Sequence, residues 1–329
     1  MPYAQLSDDE RYVICHMNLA GFKPAQIARS LGRHRGTISR ELARNRDHFG
    51  GYFYDTAGRR TRQRRVEANE RYKLDDGELG RYVREGLAEH WSPQQIVGRL
   101  SREHDDPSMR VTHETIYRWV FRRGTMGETW HQQLRRRRPR RRRRIPGGRS
   151  GRGQISGRVG IEQRPSIVEQ RERFGDWESD TVEGAKGRGG LATHVERKSR
   201  YTLVRKIEDK RVVTFNRVSL AAFKTIPPQL RRTMTVDNGK EFAGFAKLEK
   251  RLGLRVYFAD PHSPWQRGTN ENTNGLLREF FPKGTDFRRV SHHRVAKAQR
   301  MLNNRPRKCL NYRTPLEVLN DLPGVALRN

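Results

Sequence analysis

The stretch "GDWESDTVEG", residues 175–184, marks the point where the chain begins to read as a β-sheet. It is strand-like and acidic, unlike its basic surroundings. The next segment, "GGLATHVERKSRYTLVRKI" at 189–207, reads as two strands joined by the turn "ERKSR". The later segments read as a helix at 212–226, a strand at 231–242, a helix at 242–253, a strand at 254–260, and helices at 263–284 and 290–305. This order predicts a mixed sheet covered by helices.

The stretch "SPWQRGTNENTNGLLREFFPKG", residues 263–284, predicts a helix with two different faces. At 100° per residue, Arg278 returns to within about 20° of Glu271, and Asn274 and Gly275 lie on the same side. Glycine costs a helix about 1 kcal/mol relative to alanine, and close approach of another backbone would be one reason for it here. We expect the apolar residues of the opposite arc to be buried: Leu276, Leu277, Phe280 and Phe281.

Three acidic residues lie at positions where a metal site can form. Asp180 is in the first strand, Asp237 ends the fourth strand in "TVDNG", and Glu271 begins the helix. Two of these acids also have an explanation without metal: Glu271 as a favourable charge at a helix N-terminus, and Asp237 as a residue that hydrogen-bonds its own turn. Asp180 has acidic neighbours, and spacing alone does not choose among them. If these element ends meet at one sheet edge, three carboxylates in a cationic protein would hold divalent metal.

The N-terminal residues predict a helix-turn-helix unit. Ser7 and Glu10 form a capping box before a first helix, which Gly21 ends. "KPAQIARSLG" and "RGTISRELARN" follow as two short helices joined by a tight turn, with Thr37 expected to cap the second one. That second helix would offer three side chains to a DNA groove. They are Ser39, Arg40 and Arg44.

Residues 90–123 repeat this pattern. Ser92 and Gln95 form a second capping box, and "VTHETIYRWVFRRG" offers a second basic helix that carries Arg118. We expect a small apolar core there, from Trp91, Ile96, Leu100, Ile116, Trp119 and Val120. A plain helical subdomain without DNA contact is the alternative.

The formal net charge is +32, from 69 Lys and Arg against 37 Asp and Glu. Such a charge predicts a polyanionic partner: nucleic acid, an anionic membrane or an acidic protein. No apolar run of about 18 residues is present, so we expect no membrane span. The N-terminus lacks an apolar signal region, and Cys15 and Cys309 fit neither a zinc pattern nor a disulfide framework, which favours a reducing cytoplasm.

Nine of the ten residues at 135–144, Arg140 among them, are arginine. Such a run cannot pack a core, so it reads as a linker that neutralises phosphates without reading sequence. The expected organisation is α+β and multidomain. It comprises a helix-turn-helix domain at 1–50, a charged helical connector at 51–89, a second helix-turn-helix unit at 90–124, an Arg-rich linker at 125–164 and a mixed α/β catalytic domain at 165–329.

Three blocks of the chain resemble a known family. "GDWESDTVEG", "TVDNGKEF" and "YFADPHSPWQRGTNENTNGLLREFFPKGTD" look like the catalytic blocks of bacterial DDE transposases of the insertion-sequence-thirty family. The resemblance extends over the whole chain, and the last block is long and specific. It matches Asp180, Asp237 and Glu271 to the catalytic triad, with 33 residues between the last two, and Arg278 to the basic residue seven positions later. Ser179 stands where the family usually has glycine.

The resemblance implies an RNase H-like, integrase-type core that cleaves DNA and transfers strands without a covalent protein–DNA intermediate. Asp180 would bridge two Mg²⁺ ions, with Mn²⁺ as a substitute, and Asp237 and Glu271 would hold one each. Arg278 would contact a phosphate near the scissile bond. The resemblance also implies four side chains that would position DNA: Trp265, Arg267, Asn270 and Asn272. The implied partners are the element's terminal inverted repeats and target DNA, bound by a homo-oligomer on paired ends in the bacterial cytoplasm, at the nucleoid.

Other functions remain open from sequence. A DNA-binding regulator would explain the charge and the helical units, but not three separated acids at element ends. A metal-dependent nuclease without strand transfer would use the same acids, and only joined products separate it. Tyrosine- or serine-type recombination needs a nucleophile in an Arg/His cluster, and no such grouping surrounds the ten tyrosines.

Overall fold

The computed structural model describes residues 5–47, 50–70, 74–135, 155–261 and 263–322. The chain divides into two compact units, Met1–Arg81 and Tyr82–Asn329. Most of the arginine run, with Arg140, lies outside the described residues. Among those that are described, no helix has the length and apolar character needed to cross a membrane.

The first unit is helical. Its helices are α1 (Asp8–Leu19), α2 (Pro24–Ser30), α3 (Arg35–Asn45) and α4 (Tyr54–Glu70). The Ser7–Glu10 capping box is confirmed, and Gly21 follows α1 with a φ of +83°, a backbone that glycine adopts without strain. The expected cap at Thr37 is wrong. The cap is His34, three residues earlier, and its Nδ1 accepts a hydrogen bond from the backbone N–H of Gly36.

Three more helices follow. They are α5 (Gly77–Ala88), α6 (Pro93–Glu103) and α7 (His113–Thr125). The Ser92–Gln95 capping box is present at the start of α6. Five of the six predicted core residues are buried, whereas Trp91 is only partly so.

Helix α6 packs against the C-terminal part of the same unit. Arg99 makes a bidentate ion pair with Glu317, with N···O distances of 2.7 and 2.5 Å. Nε2 of Gln95 donates to the Pro306 carbonyl, and the Tyr312 ring lies against Gly98, where a β-carbon would clash with it. The second helical segment and the end of the chain therefore form one packed structure.

The sheet has five strands in the order β3-β2-β1-β4-β5. They are β1 (Asp176–Glu183), β2 (Gly190–Glu196), β3 (Thr202–Ile207), β4 (Thr233–Val236) and β5 (Arg255–Phe258). Strands β1, β2 and β3 pair antiparallel, whereas β1–β4 and β4–β5 pair parallel. The central strand β1 thus joins the antiparallel half of the sheet to the parallel half.

Helices cover both faces of this sheet. The remaining helices are α8 (Ile167–Gln170), α9 (Val212–Phe223), α10 (Phe245–Leu252), α11 (Gly268–Phe280), α12 (His292–Asn303) and α13 (Pro315–Asn320). Trp177 of β1 packs in one core with α9 and α10, and Val182 packs in a second core with α11 and α12. Because side chains alternate along a strand, the even-numbered residues of β1 face α11. The predicted mixed sheet and its element order are confirmed.

Candidate active site

Asp180 and Asp237 lie side by side on neighbouring parallel strands. The paired residues Asp176↔Thr233 through Glu178↔Thr235 keep an offset of 57 positions (233 − 176), and Asp180 and Asp237 keep the same offset (237 − 180). Neighbouring strands are about 4.8 Å apart. The structure therefore brings the two predicted aspartates together at the end of β4.

Each of these carboxylates has one oxygen fixed by a backbone N–H one or two residues further along the chain. Oδ1 of Asp180 accepts from the N–H of Thr181 at 2.7 Å, and Oδ1 of Asp237 accepts from the N–H of Gly239 at 2.8 Å. The Oδ2 atoms interact elsewhere: that of Asp180 accepts from Nδ2 of Asn274 at 3.0 Å. The turn role that the sequence left open for Asp237 is thus real, and it occupies one oxygen.

Arg267 connects the two aspartates. Its Nη1 lies 3.5 Å from Oδ2 of Asp180, and its Nη2 lies 3.3 Å from Oδ2 of Asp237. The Arg267 side chain is 15% exposed. In this structure Arg267 neutralises two acids, and its predicted contact with DNA stays a prediction. Burial raises the pKa of Asp180; the Arg267 charge lowers it, and the Asp237 charge raises it further.

Helix α11 is attached to β1 by two asparagines one turn apart. The buried Asn270 donates from its backbone N–H to Oε2 of Glu178 at 2.8 Å, and from Nδ2 to the Glu178 carbonyl at 2.9 Å. Asn274 then reaches Asp180. Asn270 is completely buried and its contacts here are structural, so its predicted DNA contact stays a prediction.

Glu271 is exposed in the first turn of α11, next to Asn270 and three residues before Asn274. Residues three apart on a helix lie on one side, about 5–6 Å apart, which places Glu271 on the side that reaches Asp180. Within the described residues, Glu271 makes no hydrogen bond or ion pair, and no three Asp, Glu, His or Cys side chains are already arranged around one point as metal ligands.

The donor set suits a hard cation. Asp180 and Asp237 present carboxylate oxygens to a shared positive group, and oxygen is the ligand that Mg²⁺ and Mn²⁺ prefer. The oxygens of the two aspartates suit a divalent ion, which would take the place of the Arg267 guanidinium between them. Glu271 is on the correct face of α11, but joins them only if its side chain turns toward β1.

Arg278 lies at the far end of β1. Its Nη2 donates to the Glu183 carbonyl at 2.9 Å, its Nη1 is buried without a partner among the described residues, and burial lowers its pKa. The predicted burial is confirmed for Leu276, Leu277 and Phe281, whereas Phe280 is only partly buried. The explanation offered for Gly275 is wrong. Among the described residues, a β-carbon there would meet only the Arg135 side chain, at an ordinary 3.5 Å.

Sequence reasoning missed one carboxylate near the site. Glu241 accepts from Oγ1 of Thr181 at 2.9 Å, lies 3.8 Å from Nζ of Lys210, and contributes to the raised pKa of Asp180. Its position four residues after Asp237 in "DNGKEF" was the available signal. Spacing alone could not show that the turn folds Glu241 back onto β1.

The predicted DNA-contact side chains differ in their exposure to solvent and in their ion pairs. Arg40 and Asn272 are exposed, and Trp265 is 73% exposed. Arg118 is 72% exposed, with Glu114 3.8 Å away. Ser39 is half-buried, and Arg44 is held at 2.5 Å by the buried Glu41.

Comparison with known proteins agrees with this arrangement. The family described as a helix-turn-helix domain matches residues 3–45, and the family described as an integrase core domain matches residues 170–264. The chain is 36% identical over 312 residues to the transposase for insertion sequence element IS4351 of Bacteroides fragilis, covering 95% of this chain and 94% of the relative. It is 40% identical over 321 residues to the transposase for IS1086 of Cupriavidus metallidurans, covering 96% and 94%.

This chain belongs to the IS30 family of transposases. The transposase InsI for IS30C of Escherichia coli is 39% identical over 310 residues, which cover 92% of this chain and 79% of that protein. The protein is thus an insertion-sequence transposase of the DDE type, a DNA phosphoryltransferase with an N-terminal helix-turn-helix domain.

Enzymes with the integrase core use divalent metal. Asp180 and Asp237 lie inside the matched core region of the transposase, and Glu271 lies just beyond it. Among solved structures, the catalytic core of BIV integrase aligns with 45% of this chain and 95% of its own, at 19% identity and a TM-score of 0.36.

Proposed function

We propose that this transposase cleaves and joins DNA at the ends of its own element, with Asp180, Asp237 and Glu271 as the metal-holding carboxylates. The observation that carries the proposal is the shared register of Asp180 and Asp237, together with the Asn274 bond that ties α11 to Asp180. This geometry explains why a cationic chain keeps acids at these element ends.

Two divalent ions per site are proposed, with Asp180 between them and Asp237 and Glu271 on one ion each. When bound, the ions would activate the attacking oxygen and stabilise the leaving one. The protein's own part is to hold the carboxylates. Thr181, Gly239 and Asn274 fix oxygens of the two aspartates. Arg267 would release them when a metal takes over neutralisation.

In the proposed reaction, water breaks a phosphodiester bond at the element end and leaves a 3′-OH. That 3′-OH then attacks a second phosphodiester, so one bond forms as another breaks and no protein–DNA bond is made. Arg278 would bind a nonbridging phosphate oxygen through its guanidinium group, whose buried Nη1 has no partner among the described residues. Trp265 offers an exposed ring on which a base can stack.

Recognition of terminal inverted repeats is proposed for the first helical unit, with Arg40 as the exposed reader on α3. Arg118 of α7 is proposed to contact DNA from the second helical segment, and the arginine run with Arg140 to bind phosphates. The five domain boundaries predicted from sequence, assembly as a homo-oligomer on paired ends, and action in the bacterial cytoplasm at the nucleoid remain proposals.

The test uses labelled DNA carrying the element's own ends, with Mg²⁺ or with EDTA. Wild type is compared with Glu271→Gln and with a matched control, Glu208→Gln, whose side chain is 80% exposed. We expect cleaved and joined products from wild type and the control with Mg²⁺, and none from Glu271→Gln despite normal DNA binding.

Other outcomes select other functions. Cleavage without joined products supports the nuclease. DNA binding without reaction under every metal condition supports the regulator. Full activity of Glu271→Gln removes Glu271 from the site.

A further inference from the structure

A second group of cations surrounds a cavity beside the first turn of α11. The cavity has a volume of about 190 Å³. We call it the arginine cavity; its cationic lining residues are Arg171, Arg200 and Arg307. Gly268 and Thr269 of α11 complete one wall, and none of the described lining residues is acidic.

Arg307 is the most buried of the three. It is 8% exposed, and burial, with repulsion from Arg305, lowers its pKa to about 10. Its Nη2 donates to the Leu302 carbonyl at 3.2 Å, but its Nε is buried with no partner among the described residues. A buried charged donor without an acceptor is costly, which makes an anionic ligand favourable here.

The other two arginines also have unused donors. Arg200 donates from Nη1 to Oγ1 of Thr269 at 2.7 Å, while its Nε has no partner among the described residues. Arg171 makes no hydrogen bond or ion pair within that part of the chain, and its Nε is buried. Burial lowers the pKa of Arg171, and the neighbouring charges of Arg200 and Arg197 lower it further.

The nearest acids do not neutralise this group. Glu169 is paired with Arg164 and Arg197. Glu178 is paired with Arg197 and holds the first turn of α11. The cavity therefore keeps three positive charges, next to the positive end of a 13-residue helix.

We propose that the arginine cavity binds a phosphate group of the DNA held by the transposase. Guanidinium groups match the planar pairs of oxygens on phosphate, and helix N-termini favour the same anion. A volume of about 190 Å³ is below the 300–1,000 Å³ of ordinary small-molecule pockets and suits a phosphate with its attached sugar oxygens.

The arginine cavity lies beside the turn of α11 that carries Glu271. Gly268 and Thr269 line it, and Glu271 follows them on the same helical turn. A bound phosphate braces the turn that presents Glu271. The proposal needs only that the transposase binds DNA, and it does not depend on the catalytic roles of the three acids.

The first experiment measures the melting temperature of the full chain with inorganic phosphate or with chloride at equal ionic strength. Phosphate should raise the melting temperature of wild type by about 2 °C or more, as expected for a ligand that binds only the folded state. Arg171→Gln and Arg307→Gln should lose this rise. The matched control Arg217→Gln, at a side chain 63% exposed on α9, should keep it.

Arg171→Gln breaks no described contact, so it separates ligand binding from folding. If Arg307→Gln does not fold, Arg171→Gln alone decides. An equal phosphate effect in wild type and Arg171→Gln overturns the site.

The second experiment identifies the source of the phosphate. DNA binding is measured against salt, and Arg171→Gln should reduce the slope of log K against log salt by about 1 relative to Arg217→Gln. Bound DNA should also abolish the stabilisation by inorganic phosphate. Stabilisation by free phosphate that persists with DNA bound, with an unchanged salt slope, overturns the DNA assignment and leaves a site for the free anion.

Discussion

The backbone N–H of Asn270 donates a 2.8 Å hydrogen bond to Oε2 of Glu178, so that an acid on β1 holds the first turn of α11. Glu178→Gln removes the charge and keeps the shape of the side chain. We expect kcat for strand cleavage to fall, by up to about 10²-fold, because a small displacement of a positioned group is enough for such a loss. DNA affinity should stay the same.

The control is Glu172→Gln, at an exposed side chain six residues earlier on the chain. Melting curves establish that both variants are folded at the assay temperature. A parallel loss of kcat and DNA affinity would show that Glu178 only maintains the fold.

Arg267→Ala removes the cation that bridges Asp180 and Asp237. The two carboxylates then repel each other, so the melting temperature in EDTA should fall. Added Mg²⁺ or Mn²⁺ should raise it by more than in wild type, because the ion no longer competes with a guanidinium. Calorimetry or thermal melting across a metal titration measures this, and Arg267→Lys should be intermediate. Equal metal effects in all three proteins would contradict the bridging role.

His194 should make the unfolding free energy depend on pH. It is fully buried against Phe215 and Phe223, Oγ of Ser179 lies 2.7 Å from its Nδ1, and burial lowers its pKa from 6.5 to about 3. Below pH 6.5 His194 is protonated in the unfolded chain, whereas in the folded protein it stays neutral down to about pH 3. Stability is therefore lost as the pH falls, by about 2 kcal/mol between pH 7 and 5.

The check is denaturant unfolding of wild type and His194→Leu at both pH values. Burial raises the pKa of Glu196 to about 7, which favours the folded state at low pH and so acts in the opposite direction. Both proteins contain Glu196, so the difference between them isolates His194. The same pH dependence in the Leu variant would assign the effect to other groups.

Arg99 and Glu317 should stabilise each other measurably. Their bidentate pair joins α6 to α13, with side chains 14% and 37% exposed. A double-mutant cycle of Arg99→Ala and Glu317→Ala should give a coupling of about 1 kcal/mol, since partial exposure screens the charges. The cycle also cancels the separate loss of the Thr314–Glu317 capping box in the single variant. A coupling near zero would mean that Gln95 and Tyr312 hold α6 in place.

Local patterns were enough to predict much of the fold. The order of strands and helices along the chain, the two capping boxes and the burial of Leu276 and Leu277 on α11 and of Phe281 after it depend on residues close together in sequence, and all are confirmed. The sequence also placed Asp180 in a strand and Asp237 at a strand end, and such positions can meet at one edge of a sheet. The helical spacing of α11 also placed Asn274 on the same side as Glu271, and in the structure Asn274 contacts Asp180.

The sequence could not show which polar groups pair over long separations. Arg267 and Asn270 read as DNA contacts because they are polar and stand in a turn-rich stretch. Their partners lie on β1 and after β4, 30 to 92 residues away. The expected close approach of another backbone at Gly275 was wrong for the same reason, because its neighbour is the side chain of Arg135, far back along the chain. The arginine cavity likewise draws its cations from three separate segments.

The order of the acids along the chain has a consequence during synthesis. Asp180 and Asp237 leave the ribosome before Glu271, and α12, which completes the second core, follows later still. The helix-turn-helix unit within Met1–Arg81 is by then long finished. If the helix-turn-helix unit binds the element ends and Glu271 is catalytic, as proposed, a nascent chain would hold DNA before it could cut it. A chain truncated before residue 271 would then compete with the complete enzyme for the same ends.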